Sequence, residues 1–362
     1  MTSRRLPLLV LLVTAGCAEP GEMDPWGDAP GADAGPETAD AETDATDAGV
    51  DHFLDAAVDE DLDAEVPEPE PDEEPEPEPE PEPERPDPDE GPSVVQTTYR
   101  VMQWNIAGGK ENDCRTADIT RAVVRFIRER NSQFISLNEI CRTQYDSIRA
   151  ALQRLWGKTR RFSAYAGQNG RVGAAIFSRF DLVDIFQVKI GEDRYGDRKL
   201  VCGTMRTREH MRFCSTHLSP GAGRRVQLGR VMSRLERWWE NRRDTVVLAG
   251  DFNLEPNDSA FDTVYAAGAN HPRHNPNNRG AYRELDDADA DHCRGYGEKT
   301  GLRNSGGACG NGRRIDLIFA RANRIVNGRY GADARTIPRD CSGICSDHHP
   351  VFGWARLRVR VD

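Results

Sequence analysis

The sequence has 362 residues and a formal net charge of −12, and that charge is unevenly divided. Residues 1–93 hold 30 Asp and Glu against three Arg (Arg4, Arg5 and Arg85), which leaves 30 acids against 45 bases in residues 94–362, near +15. The acidic part has too few apolar residues for a core and would repel any polyanion, whereas the basic part is long enough for one large layered core.

In chain order, residues 1–16 carry Arg4 and Arg5, the apolar run 6–13 and then small residues. That is the pattern of a signal peptide, and the run is too short to span a membrane. The segment Thr14-Ala15-Gly16-Cys17 resembles a bacterial lipoprotein cleavage box. Cys17 is therefore expected to be the lipidated first residue of an exported protein, held at the outer membrane or cell surface, with plain secretion as the alternative. Cys17 is the one membrane attachment expected, and several acyl chains would make it stable. Residues 17–93 are expected to be a disordered linker of Asp, Glu, Pro, Ala and Gly. Its Pro-Glu end, 68–92, would reach about 80 Å if extended.

Residues 94–362 are expected to form one domain. Residues 98–104 form a strand-like run, and Ile119, Val123, Phe126 and Ile127 have helical spacing. Residues 134–137 predict a short strand, and Tyr145, Ile148, Leu152 and Leu155 a second helix. Strands are predicted at 172–177, 182–190, 199–206 and 211–216. Leu228, Val231, Met232, Leu235 and Trp239 predict a third helix, followed by a strand at 245–249. The Asn-, Gly- and Asp-rich stretch 268–312 reads as loop, and strands at 314–319 and 351–359 close the chain. Many strands with helices before and after point to two stacked sheets covered by helices.

Polar residues end these strands repeatedly. Asn105 ends the first and Glu139 the second, and His217 follows Phe213-Cys214-Ser215-Thr216. Asp251 and Asn253 follow Thr245–Ala249; on an extended backbone they would point the same way, although an Asx turn explains the pair equally well. Asp316 lies inside an apolar run, where a lone carboxylate is costly without a partner. Asp347 and His348 precede the last strand.

Nine cysteines less Cys17 leave eight. Such a set in an exported chain points to four disulfides, and local pairing gives Cys114–Cys141, Cys202–Cys214, Cys293–Cys309 and Cys341–Cys345. The rival is a zinc site of His292, Cys293, Cys341 and Cys345, whose spacing matches no common zinc pattern. Only five of the 45 bases are Lys (110, 158, 189, 199 and 299). Arg suits bidentate phosphate contacts, so a polyanion partner is expected, nucleic acid before anionic lipid. A genome biased toward Arg codons is the alternative.

The series Trp104-Asn105-Ile106, Asn138-Glu139-Ile140, Thr216-His217-Leu218, Gly250-Asp251-Phe252-Asn253, Arg314-Ile315-Asp316 and Ser346-Asp347-His348-His349-Pro350 resembles the motifs of the endonuclease/exonuclease/phosphatase family, in family order. Deoxyribonuclease I, abasic-site endonucleases, bacterial sphingomyelinases and inositol polyphosphate phosphatases belong to it. The resemblance implies a four-layer α/β/β/α sandwich and a metal-dependent hydrolase of phosphate esters. It implies Glu139 as main metal ligand, with Asn105 beside it and Asp347 sharing the ion. The ion would be Mg2+, with Mn2+ or Ca2+ as alternatives. His348 would be polarised by Asp316. Asp251 would orient and deprotonate water, and Asn253 would donate to phosphoryl oxygens. His217 matches the second histidine of the deoxyribonuclease and sphingomyelinase branches. Arg198 and Arg142 are further candidates for phosphate contact, with surface charge as their alternative. The expected substrate is DNA, or RNA as well, cut by a monomer. A sphingomyelinase or inositol-phosphate phosphatase is the second reading. A non-catalytic DNA-binding lipoprotein is the third, disfavoured because every candidate position holds a competent residue.

Overall fold

The computed structural model describes residues 94–269, 276–288, 296–302 and 313–361. In chain order the elements are β1 (Val94–Asn105), α1 (Ala117–Arg130), β2 (Phe134–Cys141), α2 (Arg142–Trp156), β3 (Ser163–Gly167), β4 (Val172–Ser178), β5 (Leu182–Asp193), β6 (Gly196–Met205), β7 (Arg208–His217), α3 (Arg224–Arg242), β8 (Thr245–Asp251), β9 (Tyr282–Glu284), β10 (Asp316–Arg321), β11 (Ile325–Ala334) and β12 (Val351–Arg360). They build two six-stranded sheets, ordered β11-β12-β1-β2-β4-β3 and β5-β6-β7-β8-β10-β9.

The sheets stack through an apolar layer that includes Val101, Phe134, Ile176, Phe213, Val247 and Ile318. The outer face of the first sheet is covered by α1 and α2 through Ile119, Val123, Ile127, Ile148 and Leu152, at helical spacing. The second is covered by α3 through Leu228, Val231 and Leu235. Each such side chain, fully buried, contributes about 1.5–3 kcal/mol. This is the α/β/β/α sandwich.

One β–α–β unit lies at the heart of each sheet. β1 and β2 run parallel through α1, and β7 and β8 run parallel through α3, because parallel neighbours need a crossover. Register then lines up the strand ends. Asn105 stands beside Asn138 in the first sheet, and His217 beside Asp251 in the second. Antiparallel β10 adds Asp316 beside Asp251.

Two strands escape the sequence pattern. β3, Ser-Ala-Tyr-Ala-Gly, has small residues in place of β-branched ones. β11 is rich in Gly and Asn and slips register between Ile325 and Tyr330. The stretch 268–312, expected to be loop, contains β9 in its described part, paired with β10. Disulfides Cys114–Cys141, Cys202–Cys214 and Cys341–Cys345 are formed. The expected Cys293–Cys309 pair lies outside the described residues. The zinc alternative is overturned at Cys341 and Cys345, whose sulfurs are bonded to each other. Among the described residues no helix is long and apolar enough to cross a membrane.

Candidate active site

The carboxyl ends of β1, β2, β7 and β8 meet at one edge of the sandwich, and the loop before β12 closes over them. A bulge in β2 aims the first acid. Register shifts between Asn138 and Ile140, and Glu139 adopts φ 52°. A bulge of this kind sends successive side chains to different destinations. Asn138 turns into the space between the sheets, where its Nδ2 donates to Thr216 O at 3.1 Å and its Oδ1 accepts from Asp251 N at 2.9 Å. Glu139 faces the opening, its side chain 31% exposed.

Asp251 ends β8 and is buried. Asn253 does not continue the strand. It has φ 50°, and its N–H donates to Asp251 Oδ1 at 2.9 Å, closing an Asx turn. Against expectation, Asn253 and Asp251 therefore do not point the same way from an extended strand; the turn itself brings Asn253 back to the site. Its Nδ2 donates to Leu218 O at 2.9 Å and lies 3.4 Å from His217 Nε2. Asn105 bridges the sheets, its Nδ2 donating to Glu139 Oε1 at 3.1 Å and to Asp251 Oδ2 at 3.0 Å. Its Oδ1 accepts from Ala107 N.

His348 Nδ1 donates to Asp316 Oδ2 at 2.7 Å, and its Nε2 stands 3.9 Å from Asp251 Oδ2 and 4.0 Å from Asp347 Oδ1. Ser346 Oγ donates to Asn105 O and accepts from His348 N, which fixes the loop to the end of β1. Trp104 Nε1 donates to His348 O. Asp316 is held from behind: Gln103 Nε2 donates to its Oδ1, and its backbone N–H donates to Thr300 Oγ1.

The local electrostatics separate the groups. Burial lowers His348's proton affinity, but the charge and hydrogen bond of Asp316 and the charge of Asp251 outweigh it, raising its pKa to about 10. Burial, with Asp316's charge, raises Asp251 to about 7. Burial and the positive charges of Arg198 and His348 push His217 well below the usual imidazole range, so it is neutral at pH 7. Asp347 is lowered: burial would raise it, but His348 and Lys110 prevail.

Eight expected residues therefore converge: Asn105, Glu139, His217, Asp251, Asn253, Asp316, Asp347 and His348. Arg198 is 3% exposed and donates from Nε and Nη2 to Asp193 Oδ2, acting on His217 through its charge. Arg142 does not join them. Its guanidinium pairs with Asp146 and lies over the rings of Tyr145 and Tyr165, because α2 carries it onto the outer face. The sequence reading missed Gln103, Asn138, Thr300 and Lys110, whose Nζ lies 2.9 Å from Asp347 Oδ2. Asn138 left a signal, since a buried amide ending an apolar run demands partners.

The donor set suits a hard divalent cation. Glu139 and Asp347 offer partly exposed carboxylate oxygens, and Asp347 already holds a cationic ammonium. A tighter trio, Asp251, Asp316 and His348, has atoms within 4.8 Å of one another. The short Asp316–His348 hydrogen bond occupies two of these groups, which makes the trio the poorer cradle.

The family model described as "Endonuclease/Exonuclease/phosphatase family" matches residues 102–348. No curated protein matches the chain in sequence. Among solved structures, truncated TDP2 from Caenorhabditis elegans is similar at 17% identity and a TM-score of 0.51, covering 72% of this chain and 97% of its own. The human Nocturnin catalytic domain with bound sulfate is similar at 16% identity and a TM-score of 0.51, covering 73% and 96%. A mannosyl-6-phosphatase of Bacteroides thetaiotaomicron is similar at 18% identity and a TM-score of 0.50, covering 70% and 98%. At these identities the likenesses establish the fold.

Proposed function

Because the chain belongs to the endonuclease/exonuclease/phosphatase family, we propose that it is a divalent-metal-dependent phosphodiester hydrolase that cuts nucleic acid, DNA first. The observation that carries the reading is the convergence of Glu139, Asp251, Asn253 and the Asp316–His348 pair on one opening of a domain with a charge near +15. A cation at Glu139 and Asp347, taken as Mg2+, would neutralise phosphate oxygens and the leaving oxygen.

The chain's own groups supply the rest. Asp251, with its proton affinity raised to about 7, is matched to take a proton from water near neutral pH. The water oxygen forms the new bond to phosphorus, and the bond to the leaving oxygen breaks in line with it. That oxygen takes the electron pair and then a proton from His348 Nε2, which stays charged at neutral pH because Asp316 holds Nδ1. Neutral His217 and the Asn253 amide donate to the phosphoryl oxygens as charge gathers there. Asn105 positions Glu139 and Asp251 through its two donated hydrogen bonds.

We also propose that Cys17 anchors the chain to the bacterial envelope and that residues 18–93 space it from the membrane. Cys17→Ser should move the protein from the membrane fraction to the medium or periplasm.

The functional test is plasmid cleavage by the oxidised protein with Mg2+ and with EDTA, beside Asp251→Ala and His348→Ala. Metal-dependent nicking lost in both variants supports the reading. No cleavage by the folded wild type sinks it and turns the same variants toward sphingomyelin and inositol phosphates.

A further inference from the structure

A cleft of about 500 Å3 opens on the outer side of α2, away from the site just described. Its walls include Arg142 and Arg149 of α2 and Arg160 and Arg161 of the following loop, and its far side is Ile185 and Gln187 of β5. All four arginines are exposed. Arg142 is paired with Asp146, but Arg149, Arg160 and Arg161 have no carboxylate within ion-pair distance among the described residues. Unpaired arginines are common on this basic surface. Here three of them share one concavity whose only acid is the one taken by Arg142.

Aromatic rings support the charges from below. The Arg142 guanidinium carbon lies 5.5 Å from the Tyr165 ring centroid, and that of Arg149 lies 5.9 Å from Phe162's. Arg142 donates its Nε–H to Asp146 Oδ2, while the Arg149 guanidinium beside its ring has no carboxylate partner among the described residues. The N–H groups of Arg149, Arg160 and Arg161 therefore line a groove whose one acid, Asp146, is already engaged by Arg142.

The cleft also has a fixed relation to the candidate site. Helix α2 starts three residues after Glu139. Seven residues of helix, from Arg142 to Arg149, span about 10 Å, and the chain from Glu139 to Arg142 adds at most about 10 Å. The track is therefore at most about 20 Å long, a length that about six steps of a nucleic-acid strand at 3.4 Å per step would cover.

We propose that this cleft is a docking site for the phosphate backbone of the nucleic-acid substrate, flanking the phosphate that is cut. The inference rests on the nuclease reading and narrows its substrate to polymers of several nucleotides.

The test uses the full-length oxidised protein and the variant Arg149→Ala/Arg160→Ala/Arg161→Ala. A control, Arg128→Ala/Arg154→Ala/Arg237→Ala, removes equal charge from exposed positions outside the cleft. The substrates are a 30-base-pair duplex and bis(p-nitrophenyl) phosphate. The cleft variant is expected to raise KM for the duplex roughly tenfold at 50 mM salt and to reduce the salt slope of binding by about two to three. Its turnover of the small diester should match wild type, and the control should change duplex KM less than threefold. Equal loss in control and cleft variants, or no loss in the cleft variant, overturns the proposal while leaving the nuclease reading in place. So does weaker binding to phosphatidylserine vesicles with duplex cleavage unchanged, which would reassign the cleft to a lipid surface. Hydrolysis of the small diester without cleavage of DNA or RNA of any length would remove the nuclease reading itself, and the proposal with it.

Discussion

Two ionic clusters lie two residues apart at the start of β10, built alike and used differently. Asp316 pairs with His348 beneath an opening. Arg314 is wholly buried, with Nη2 donating to Glu284 Oε1 at 2.9 Å and Nη1 lying 2.8 Å from Asp286 Oδ2. Both clusters raise a carboxyl group: burial lifts Asp251 to about 7 and Asp286 to about 9. Gly297, at φ +79°, brings its backbone against Asp286 so closely that a Cβ would stand 2.2 Å from Oδ2. A perturbed acid is therefore a poor marker of a site by itself. What separates the clusters is access. Side chains of Glu139, Asp347 and His348 are 31%, 28% and 13% exposed, while those of Arg314, Glu284 and Asp286 are at most 1%. The first cluster can meet a substrate; the second ties β9 and the segment around Glu298 to β10.

The contrast can be broken in several places, and the largest effect belongs to the open cluster. His348→Ala should lower kcat by roughly 100- to 10,000-fold, far more than its cost in stability, which comes from leaving buried Asp316 without its partner. A collapse of stability with modest kinetic loss would make His348 structural. Arg314→Met should do the reverse, costing about 3–5 kcal/mol in chemical denaturation because two buried acids lose their cation. Activity per folded molecule should survive, and adding Glu284→Leu and Asp286→Leu should restore much of the stability.

Smaller effects sharpen the difference. Mg2+ at a hundred times its Kd should stabilise wild type by about 2.7 kcal/mol, measured by urea unfolding with and without EDTA. Glu139→Gln should abolish that gain, whereas Arg314→Met should retain it.

The pH dependence in EDTA has a definite sign. His348 is raised to about 10, so its contribution to stability is full below the unfolded value near 6.5 and is lost as pH rises through about 10. Asp316→Asn should flatten that fall. A fall that persists in Asp316→Asn would place its origin elsewhere. The least effect on stability is expected for Arg142→Ala, whose exposed pair with Asp146 is worth under about 1 kcal/mol. Its turnover of a small diester should match wild type, and a loss beyond fivefold there would return Arg142 to the catalytic opening.

Much of the open cluster was legible in the sequence because its members sit at the edges of, or as lone charges within, apolar runs. Asn105, His217 and Asp251 end strands and Glu139 closes the apolar start of β2, and a polar residue there needs a partner or a task. The residues behind them were not legible. Gln103 looks like an ordinary strand residue, and Thr300 lies in a stretch of Gly and Asn. Their role appears only when Gln103 reaches Asp316, a residue 213 positions away. β3 and β11 were missed for a related reason. Their pairing partners, β4 and β12, supply the order that their small and Gly-rich residues do not.

The sequence by itself determined the alternation of strands and helices, the split of charge, and the identity of the groups at the strand ends, while the structure chose local pairing for the three described disulfides. Those follow from periodicity, spacing and composition, which are local. Tertiary structure alone decided which of these groups meet. Parallel register set His217 beside Asp251, and the bulge at Glu139 sent neighbouring side chains to opposite tasks. The turn at Asn253 did what a straight strand could not, and α2 carried Arg142 away from the acid three residues before it. Stacking two sheets brings together residues more than a hundred positions apart, and no local pattern records that distance.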